Sequence, residues 1–523
     1  MRQWQNHLNS LVVVLIAGFA AQTFAQQDAR QVVLDAAAAM GGIDKLQSIT
    51  TLRMQGYGHE AYQDGGSEIT TEPTAPEKMT NMTAYDRVID VTHDRTRVKA
   101  RMYRAFVFAA GAMMKGLPIH QVLDGDVAYD VPATGNARRA SAEAAQKRRM
   151  DLLSIPLMAV RTALAEGSSV SNRRTQDGLT LVEIRTADNR DITLAVDSAS
   201  HLPVWTRWIL PHENLGELTL RAEYSGWQEL EGMQLPMSYN VVSDFHDVVM
   251  QRLHVDRYVI NGEIEDLGAP AEVRAAQAPV PNYTVTAEPV AEHVWLMLGN
   301  NGANSVLLEF EDHLALLEAP TNRAWTRAVL AQARATVPGK PLTQVIVTHH
   351  HFDHTGGLRV AIAEGLTIIA QRGNLAWFEE LAKRPATHYP DELSRNPQPI
   401  KTLPVDDHLR LSDAFLTVDL YKLVANAHMA HGIMAYVPQH KLLLQGDLFD
   451  LNWEVYFWGN TYKDNVAHRG LTVERDVPIH GRVTPIADVQ RIIAEQTANA
   501  RALCQAVDSV GLSMPGCPLA WEN

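Results

Sequence analysis

The stretch Thr348-His349-His350-His351-Phe352-Asp353-His354-Thr355-Gly356-Gly357 decides how this chain is read. Just before it, Val345, Ile346 and Val347 form a β-branched run of the kind that makes a strand buried on both faces. The histidines begin where that strand should end. His349 and His351 stand two apart, so an extended or turning backbone points both imidazoles the same way, while Asp353 and His354 fall where the chain turns into a helix. Gly356 and Gly357 permit close backbone packing beside the cluster. Neutral imidazole nitrogen and carboxylate oxygen are the ligands that a borderline ion such as Zn²⁺ takes, at about 2.0 to 2.2 Å. The pattern predicts a two-metal hydrolytic site. A histidine cluster on a solvated loop is the bland alternative, and it would require neither an apolar strand before it nor paired glycines after it.

This block resembles the HxHxDH signature of the metallo-β-lactamase superfamily, and motifs further along resemble that family's remaining ligands in the same order. His428, in Ala427-His428-Met429-Ala430-His431-Gly432, takes the place of the third histidine. Asp447, ending the apolar run Leu442-Leu443-Leu444-Gln445-Gly446, resembles the bridging aspartate, and His480, in Pro478-Ile479-His480-Gly481, resembles the last histidine. The resemblance implies one metal held by His349, His351 and His428, a second held by Asp353, His354 and His480, and Asp447 touching both. It implies two Zn²⁺ per chain, with iron or manganese as alternatives, and it marks Asp353 and Asp447 as catalytic. Two cations sharing one water bring its pKa from near 16 towards about 7, so a bridging hydroxide is the expected nucleophile. No GxSxG elbow is present in the chain.

Two positions depart from the family pattern. The usual Gly-His-Thr-x-Gly-Ser is replaced around His428, which leaves His431 as a second candidate ligand. Spacing to Tyr436 and Asp447 favours His428, and His431 is then a pocket or supporting residue. In Leu316-Leu317-Glu318-Ala319-Pro320, Glu318 stands where many relatives carry aspartate; it reads either as a group that orients a ligand or as a plain surface carboxylate.

At 523 residues with 46% hydrophobic content, the chain exceeds one ordinary domain and can supply two cores. The expected layout is a signal peptide over 1–25, a β-rich domain over 26–266, a linker over 267–283 containing Pro270, Pro279 and Pro281, and the metal domain over 284–523. A formal charge of −14, with only short basic clusters at Arg138-Arg139 and Lys147-Arg148-Arg149, argues against a nucleic-acid partner. Assembly into a homo-oligomer stays open.

Arg2 precedes the apolar stretch Leu11 to Ala21, which is short for a bilayer span, and Thr23 and Ala25 offer small residues at the positions a signal peptidase reads. Cleavage after Ala25, export to the periplasm or medium, and no lasting membrane anchor are expected; an uncleaved anchor is the alternative. Only two cysteines occur, Cys504 and Cys517, far in sequence from every proposed ligand. In an oxidising compartment they are expected to form a disulfide that fastens the tail, with two free buried thiols as the alternative.

In the region over 26–266, Gln31 to Met40 reads as a helix stopped by Gly41-Gly42. Period-two alternation marks Leu218, Leu220, Ala222 and Tyr224, and again Ile192, Leu194 and Val196. Turn signals at Asp64-Gly65-Gly66, Glu231-Gly232 and Asn261-Gly262 separate such runs, and a helix broken near Pro156 is expected over Asp151 to Ala165. A mostly antiparallel sheet with a few helices on one face follows. Gly41-Gly42-Ile43-Asp44-Lys45-Leu46 and Leu202-Pro203-Val204 weakly resemble periplasmic half-barrels related to lipoprotein carriers. A concave sheet of that kind could hold an apolar chain, but a scaffold for dimerisation or for a lid is the preferred expectation.

The fold class is therefore α+β, with the C-terminal part expected as the αββα sandwich of the superfamily. Leu366 to Ala370 and Lys441 to Gln445 read as buried strands, and Ala324 to Ala335 and Val489 to Leu503 as amphipathic helices. Trp453, Tyr456, Phe457, Trp458 and Tyr462 follow Asp447. Trp453, Tyr456 and Trp458, with His431, are candidate pocket residues, and ordinary core packing explains the aromatics equally well. The leading expectation is an exported binuclear metal-dependent hydrolase acting on a small molecule, an ester, lactone or thioester with a hydrophobic moiety. The alternatives are a β-lactamase and a mono-iron sulfur dioxygenase.

Overall fold

The computed structural model describes residues 26–62, 78–104, 116–300, 302–514 and 516–517. The expected signal segment over 1–25 and the turn at Asp64-Gly65-Gly66 lie outside the described residues. The chain is α+β, as expected from sequence.

Among the described residues, the N-terminal part forms a thirteen-stranded antiparallel sheet. Strands from Thr51–Ala61 to Arg138–Arg139 run in sequence towards one edge, and those from Ser169–Gln176 to Val249–Ile260 fill the other half. The halves join where Thr51–Ala61 pairs with Val249–Ile260. Alternation sets the faces: in Gly216–Leu230, Leu218, Leu220, Ala222 and Tyr224 are buried while the residues between them are half-buried. Glu231 and Gly232 both take positive φ, 49° and 77°, which closes the hairpin between Leu230 and Met233 with the twist that antiparallel strands favour.

One face of this sheet packs on a helix over residues 26–39 and on the helices Ala142–Leu153 and Pro156–Leu164, through Val33, Ala36, Leu152, Leu157, Ala159 and Val160. The helix expected from Asp151 is thus two helices. The first starts at Ala142, where Ser141 accepts a hydrogen bond from the Ala144 N–H (3.2 Å); Pro156 opens the second, where its missing N–H costs nothing. The early turns escaped the sequence reading because Ala142 to Lys147 has no apolar periodicity. The segment expected as a linker begins as part of the N-terminal core, since Leu267 and Val273 are buried against Val88, Val122 and Tyr129.

Among the described residues, the C-terminal part is a sandwich of a seven-stranded and a six-stranded mixed sheet. Val306, Leu308, Leu317, Ile346 and Ile369 from the first sheet meet Val418, Leu420, Ala435, Leu444 and Val477 from the second, all fully buried. Helices Arg323–Thr336 and Arg372–Lys383 cover the outer face of the first sheet through Trp325, Val329, Phe378 and Leu381. Asn460–His468 and Ile486–Asp508 cover the second through Tyr462, Val489 and Ile493. Near the end of the long last helix, Cys504 bonds to Cys517, as expected.

Polar contacts clamp the two parts together. Glu217 accepts from the backbone N–H groups of His388 (2.9 Å) and Tyr389 (3.3 Å). Arg384 donates to the Glu217 carbonyl (2.8 Å) and to Asp244 (2.9 Å). Asn214 donates to the Thr355 hydroxyl (2.8 Å), so the N-terminal part grips the loop that carries the histidine cluster.

Candidate metal centre

The ligand candidates gather at one edge of the sandwich because strand directions bring them there. Strands Leu314–Leu317, Leu342–Ile346 and Thr367–Gln371 run parallel, so Glu318 and the segment 349–354 leave the first sheet at the same end. In the second sheet Leu442–Gln445 and Arg475–Pro478 are parallel, which brings Asp447 and His480 out together. His428 precedes Ile433–Val437, which runs antiparallel to Leu442–Gln445 and therefore starts at that end. The Ile433 N–H donates to the Thr348 carbonyl (2.9 Å), fastening the two sheets together at this edge. Loops on a rigid scaffold are where function concentrates.

Two four-residue donor sets result, beside a smaller grouping of Glu318, His349 and His354. His349, His351, His428 and Asp447 form one, Asp353, His354, Asp447 and His480 the other, with the donor atoms of each set within 4.8 Å of one another. Asp447 is common to both. Its Oδ2 lies 2.8 Å from His428 Nε2, 3.3 Å from His354 Nε2 and 3.6 Å from His349 Nε2, and its Oδ1 lies 3.3 Å from His480 Nε2. Asp353 Oδ2 lies 3.4 Å from His480 Nε2 and 3.7 Å from His354 Nε2. His431 belongs to neither set. It is half-buried, its ring packs on Gly373, and its carbonyl accepts from Asn374 (2.6 Å).

These residues fit metal ions. Ring nitrogens face one another, His349 Nε2 to His351 Nδ1 at 2.9 Å and His354 Nε2 to His480 Nε2 at 3.3 Å, an arrangement that a shared cation stabilises. Asp353 Oδ1 is a buried atom with no hydrogen-bond donor among the described residues. Burial, reinforced by the charge of His354, holds His349 well below the usual histidine range; burial and the Lys78 ammonium do the same to His351, so both offer neutral imidazole. In the second set burial pulls His354 and His480 down, but Asp447 and Asp353 more than offset it. His354 is held well above its ordinary value and His480 is pushed up to about 9. Burial opposes ionisation of Asp447, yet His354, His480 and His428 hold it well below the carboxylate range. With protons standing in for cations, the second set is already poised for positive charge.

A further layer of contacts fixes the ligands. Glu318 is fully buried; its Oε1 accepts from the Thr348 N–H (3.2 Å), from the Thr348 hydroxyl and from His354 Nδ1 (3.3 Å), which aims His354 Nε2 at the aspartates. This is the orienting role read from the sequence, not the surface alternative. Asn426 accepts from the N–H groups of His428 (2.7 Å) and Met429 (3.1 Å), turning the chain so that His428 points inward. Asp447 sits at φ 63° and Glu318 at φ 75°, two non-glycine residues in the left-handed region at strand ends. The Asp447 carbonyl accepts from the Tyr456 hydroxyl (2.8 Å) and the Trp458 indole (3.2 Å), while the Trp458 ring stacks on His428 with centroids 5.2 Å apart. Tyr456 and Trp458 are therefore buried beneath the ligands, and Trp453 donates to Asp450 (2.9 Å). Beside them, a Cβ on Gly446 would come within 2.4 Å of the Thr348 hydroxyl, and one on Gly357 within 1.9 Å of the Thr326 hydroxyl, so the cluster closes only around glycine.

The N-terminal part contributes what sequence reasoning missed. Lys78, 3% exposed, brings its Nζ within 3.0 Å of His351 Nε2, on the ring edge opposite the Nδ1 that faces His349. A cleft of about 570 Å³ opens on Asp353 and His480, and its other wall is Tyr62, Pro211, His212, Glu213 and Asn214. His212 packs edge-on against Phe352 at 5.1 Å, and burial lowers its pKa to about 4, which keeps it neutral. No local motif marks Lys78 or Tyr62; only the pairing of the two parts brings them here. A larger concavity of about 950 Å³, bordered by Arg185, Arg207 and Tyr389, contains none of the proposed ligands.

Residues 298–452 match the family described as the metallo-beta-lactamase superfamily. Among solved structures, a metallo-beta-lactamase from Pontibacter korlensis is 15% identical over 41% of this chain and 99% of its own, with a TM-score of 0.33. The DIM-1 metallo-beta-lactamase is 16% identical over 41% of this chain and 98% of its own, at a TM-score of 0.32. The inverting sec-alkylsulfatase Pisa1 from Pseudomonas sp. is 17% identical over 44% of each chain, at a TM-score of 0.33. The family match and the two His/Asp donor sets together identify the C-terminal part as a metallo-β-lactamase superfamily domain, the fold of a class of metal-dependent hydrolases.

Proposed function

We propose that this chain is an exported hydrolase that cleaves an ester, lactone or thioester with a hydrophobic moiety, using two divalent cations held by His349, His351, His428 and Asp447 and by Asp353, His354, His480 and Asp447. The observation that carries the reading is the sharing of Asp447 between two complete donor sets. When bound, a pair of such cations, zinc being the expected metal, lowers the pKa of water to near neutrality and polarises a carbonyl oxygen.

The protein's own groups supply the rest. Asp447, anchored by Tyr456 and Trp458 at its carbonyl, holds the two sets at a fixed separation. Asp353 lines the cleft beside His480, where its carboxylate would accept and return a proton during cleavage. Glu318 holds His354 in one tautomer. Phe352, Pro211 and Tyr62 give the cleft an apolar wall next to Asp353 and His480, suited to a substrate with a hydrophobic group beside its scissile carbonyl. A disulfide between Cys504 and Cys517 supports an oxidising compartment, hence the periplasm or the medium.

The test is a hydrolysis screen of esters, lactones, thioesters and β-lactams on zinc-loaded protein, with Asp447→Ala alongside. Cleavage of one of the first three classes, lost in the variant, is expected. Cleavage of β-lactams alone would replace the substrate assignment, and oxygen consumption by an iron-loaded form without hydrolysis would overturn the reaction class.

A further inference from the structure

The N-terminal sheet carries a second concavity, and its position follows from the strand order. A chamber of about 390 Å³ is bordered by Tyr62, Met102, Leu117, Trp208, Leu220 and Met250. These residues lie on the strands Thr51–Ala61, Arg95–Arg104, Leu117–Asp124, Pro203–His212, Gly216–Leu230 and Val249–Ile260, or directly beyond them, and these strands belong to one continuous block of the sheet. Tyr62 follows the end of its strand, while Leu117 opens its own and Met250 is the second residue of its own, which in an antiparallel sheet is the same end. The strand Pro203–His212 finishes at that end too, and its last residues, Pro211 and His212, line the metal cleft. Tyr62 borders both spaces. The chamber and the metal cleft therefore meet at Tyr62.

The chemistry of the chamber is that of a chain-binding site. Met102 and Met250 are unbranched and adaptable, and Leu117 is 44% exposed, one of few large apolar side chains among the described residues left so open. Of the charged groups on its wall, Lys147 pairs with Asp151 (2.8 Å), and the Arg104 guanidinium lies 5.0 Å over the Tyr62 ring. What remains for a ligand is mainly apolar surface, in a volume within the usual range of small-molecule sites.

We infer that this chamber receives the aliphatic chain of the substrate whose scissile group lies at the metal centre, so that the substrates are long-chain acyl or alkyl compounds. The inference rests on the hydrolase reading above and extends it from the bond cleaved to the group beyond it. Each methylene moved out of water favours binding, so affinity should climb with chain length until the chamber is full.

Two measurements separate this inference from the hydrolase reading. The first is direct binding of dodecanoate and butyrate to the full-length, metal-free protein by calorimetry. Dodecanoate should bind at least tenfold more tightly than butyrate, with the difference reduced at least fivefold in Met250→Trp, which fills the chamber, and in Leu117→Glu, whose side chain is exposed enough to keep the fold. The second is the ratio of kcat/KM for 4-nitrophenyl dodecanoate to that for 4-nitrophenyl acetate on the zinc-loaded protein, expected to be at least tenfold and to fall in both variants. Ester cleavage with no chain-length preference and no dodecanoate binding would overturn the inference while leaving the hydrolase reading intact. Dodecanoate binding that the two variants weaken, without cleavage of either ester, would support the chamber and count against the hydrolase reading.

Discussion

Replacing Glu318 tests how the metal centre is held without touching a ligand. Its carboxylate is fully buried and accepts three hydrogen bonds, from the Thr348 N–H (3.2 Å), the Thr348 hydroxyl and His354 Nδ1 (3.3 Å). Glu318→Gln keeps an oxygen acceptor but removes the charge that favours the Nδ1–H tautomer of His354, the tautomer that leaves Nε2 free for a cation. Groups in this position are worth about 10 to 100-fold in metal affinity, or about 1.4 to 2.7 kcal/mol. Glu318→Leu also strands the Thr348 N–H, which costs roughly another 1 to 3 kcal/mol of stability. Competition with a chromophoric chelator measures the affinity, and thermal unfolding of metal-free protein measures the stability. The expected order of affinity is wild type, then Gln, then Leu, with the unfolding temperature of Leu clearly lowest. Unchanged zinc affinity in both variants would refute the claim that Glu318 orients His354.

Four further outcomes follow from the structure. Asp447→Ala and His354→Ala should each lower turnover by several orders of magnitude, while His431→Ala, outside both donor sets, has a smaller effect; metal and activity retained in His428→Ala but lost in His431→Ala would reverse the ligand assignment. In the metal-free protein His480 is raised to about 9, so its contribution to stability is complete below about pH 6.5 and is lost as the pH climbs through 9. For the same reason zinc must displace protons, and titration calorimetry at pH 7 in buffers of different ionisation enthalpy should record at least one proton released per chain, with affinity rising between pH 6 and 9. The disulfide closes a short loop, with a sequence separation of 13, so Cys504→Ser should cost on the order of 3 kcal/mol in denaturant unfolding and make the protein insensitive to reductant.

Much of the metal domain was legible because its chemistry is local. The His349 to His354 block sits against a strand of the right composition, and the run Leu442 to Gln445 announces Asp447 by ending in Gly446, where even a Cβ would collide with Thr348. His428 was harder, since its neighbours depart from the family pattern and His431 competes; the turn made by Asn426 points His428 towards Asp447, and nothing in composition marks that turn. The aromatics after Asp447 were visible, but their place beneath the ligands depends on how the loop folds back onto the Asp447 carbonyl. Period-two alternation revealed individual N-terminal strands but not their order, because pairing Thr51–Ala61 with Val249–Ile260 joins positions some 200 residues apart. That non-local pairing is also what carries Tyr62 and Lys78 to the metal centre, so the sequence reading of a scaffold omitted the wall this sheet provides.

The central claim is that Asp447 unites two cation sites, and metal content tests it most directly. Wild-type protein loaded with zinc and dialysed against metal-free buffer should retain two equivalents per chain by elemental analysis, and Asp447→Ala should retain at most one. A correctly folded wild-type chain that holds no transition metal, or a single ion unaffected by the substitution, would contradict the account.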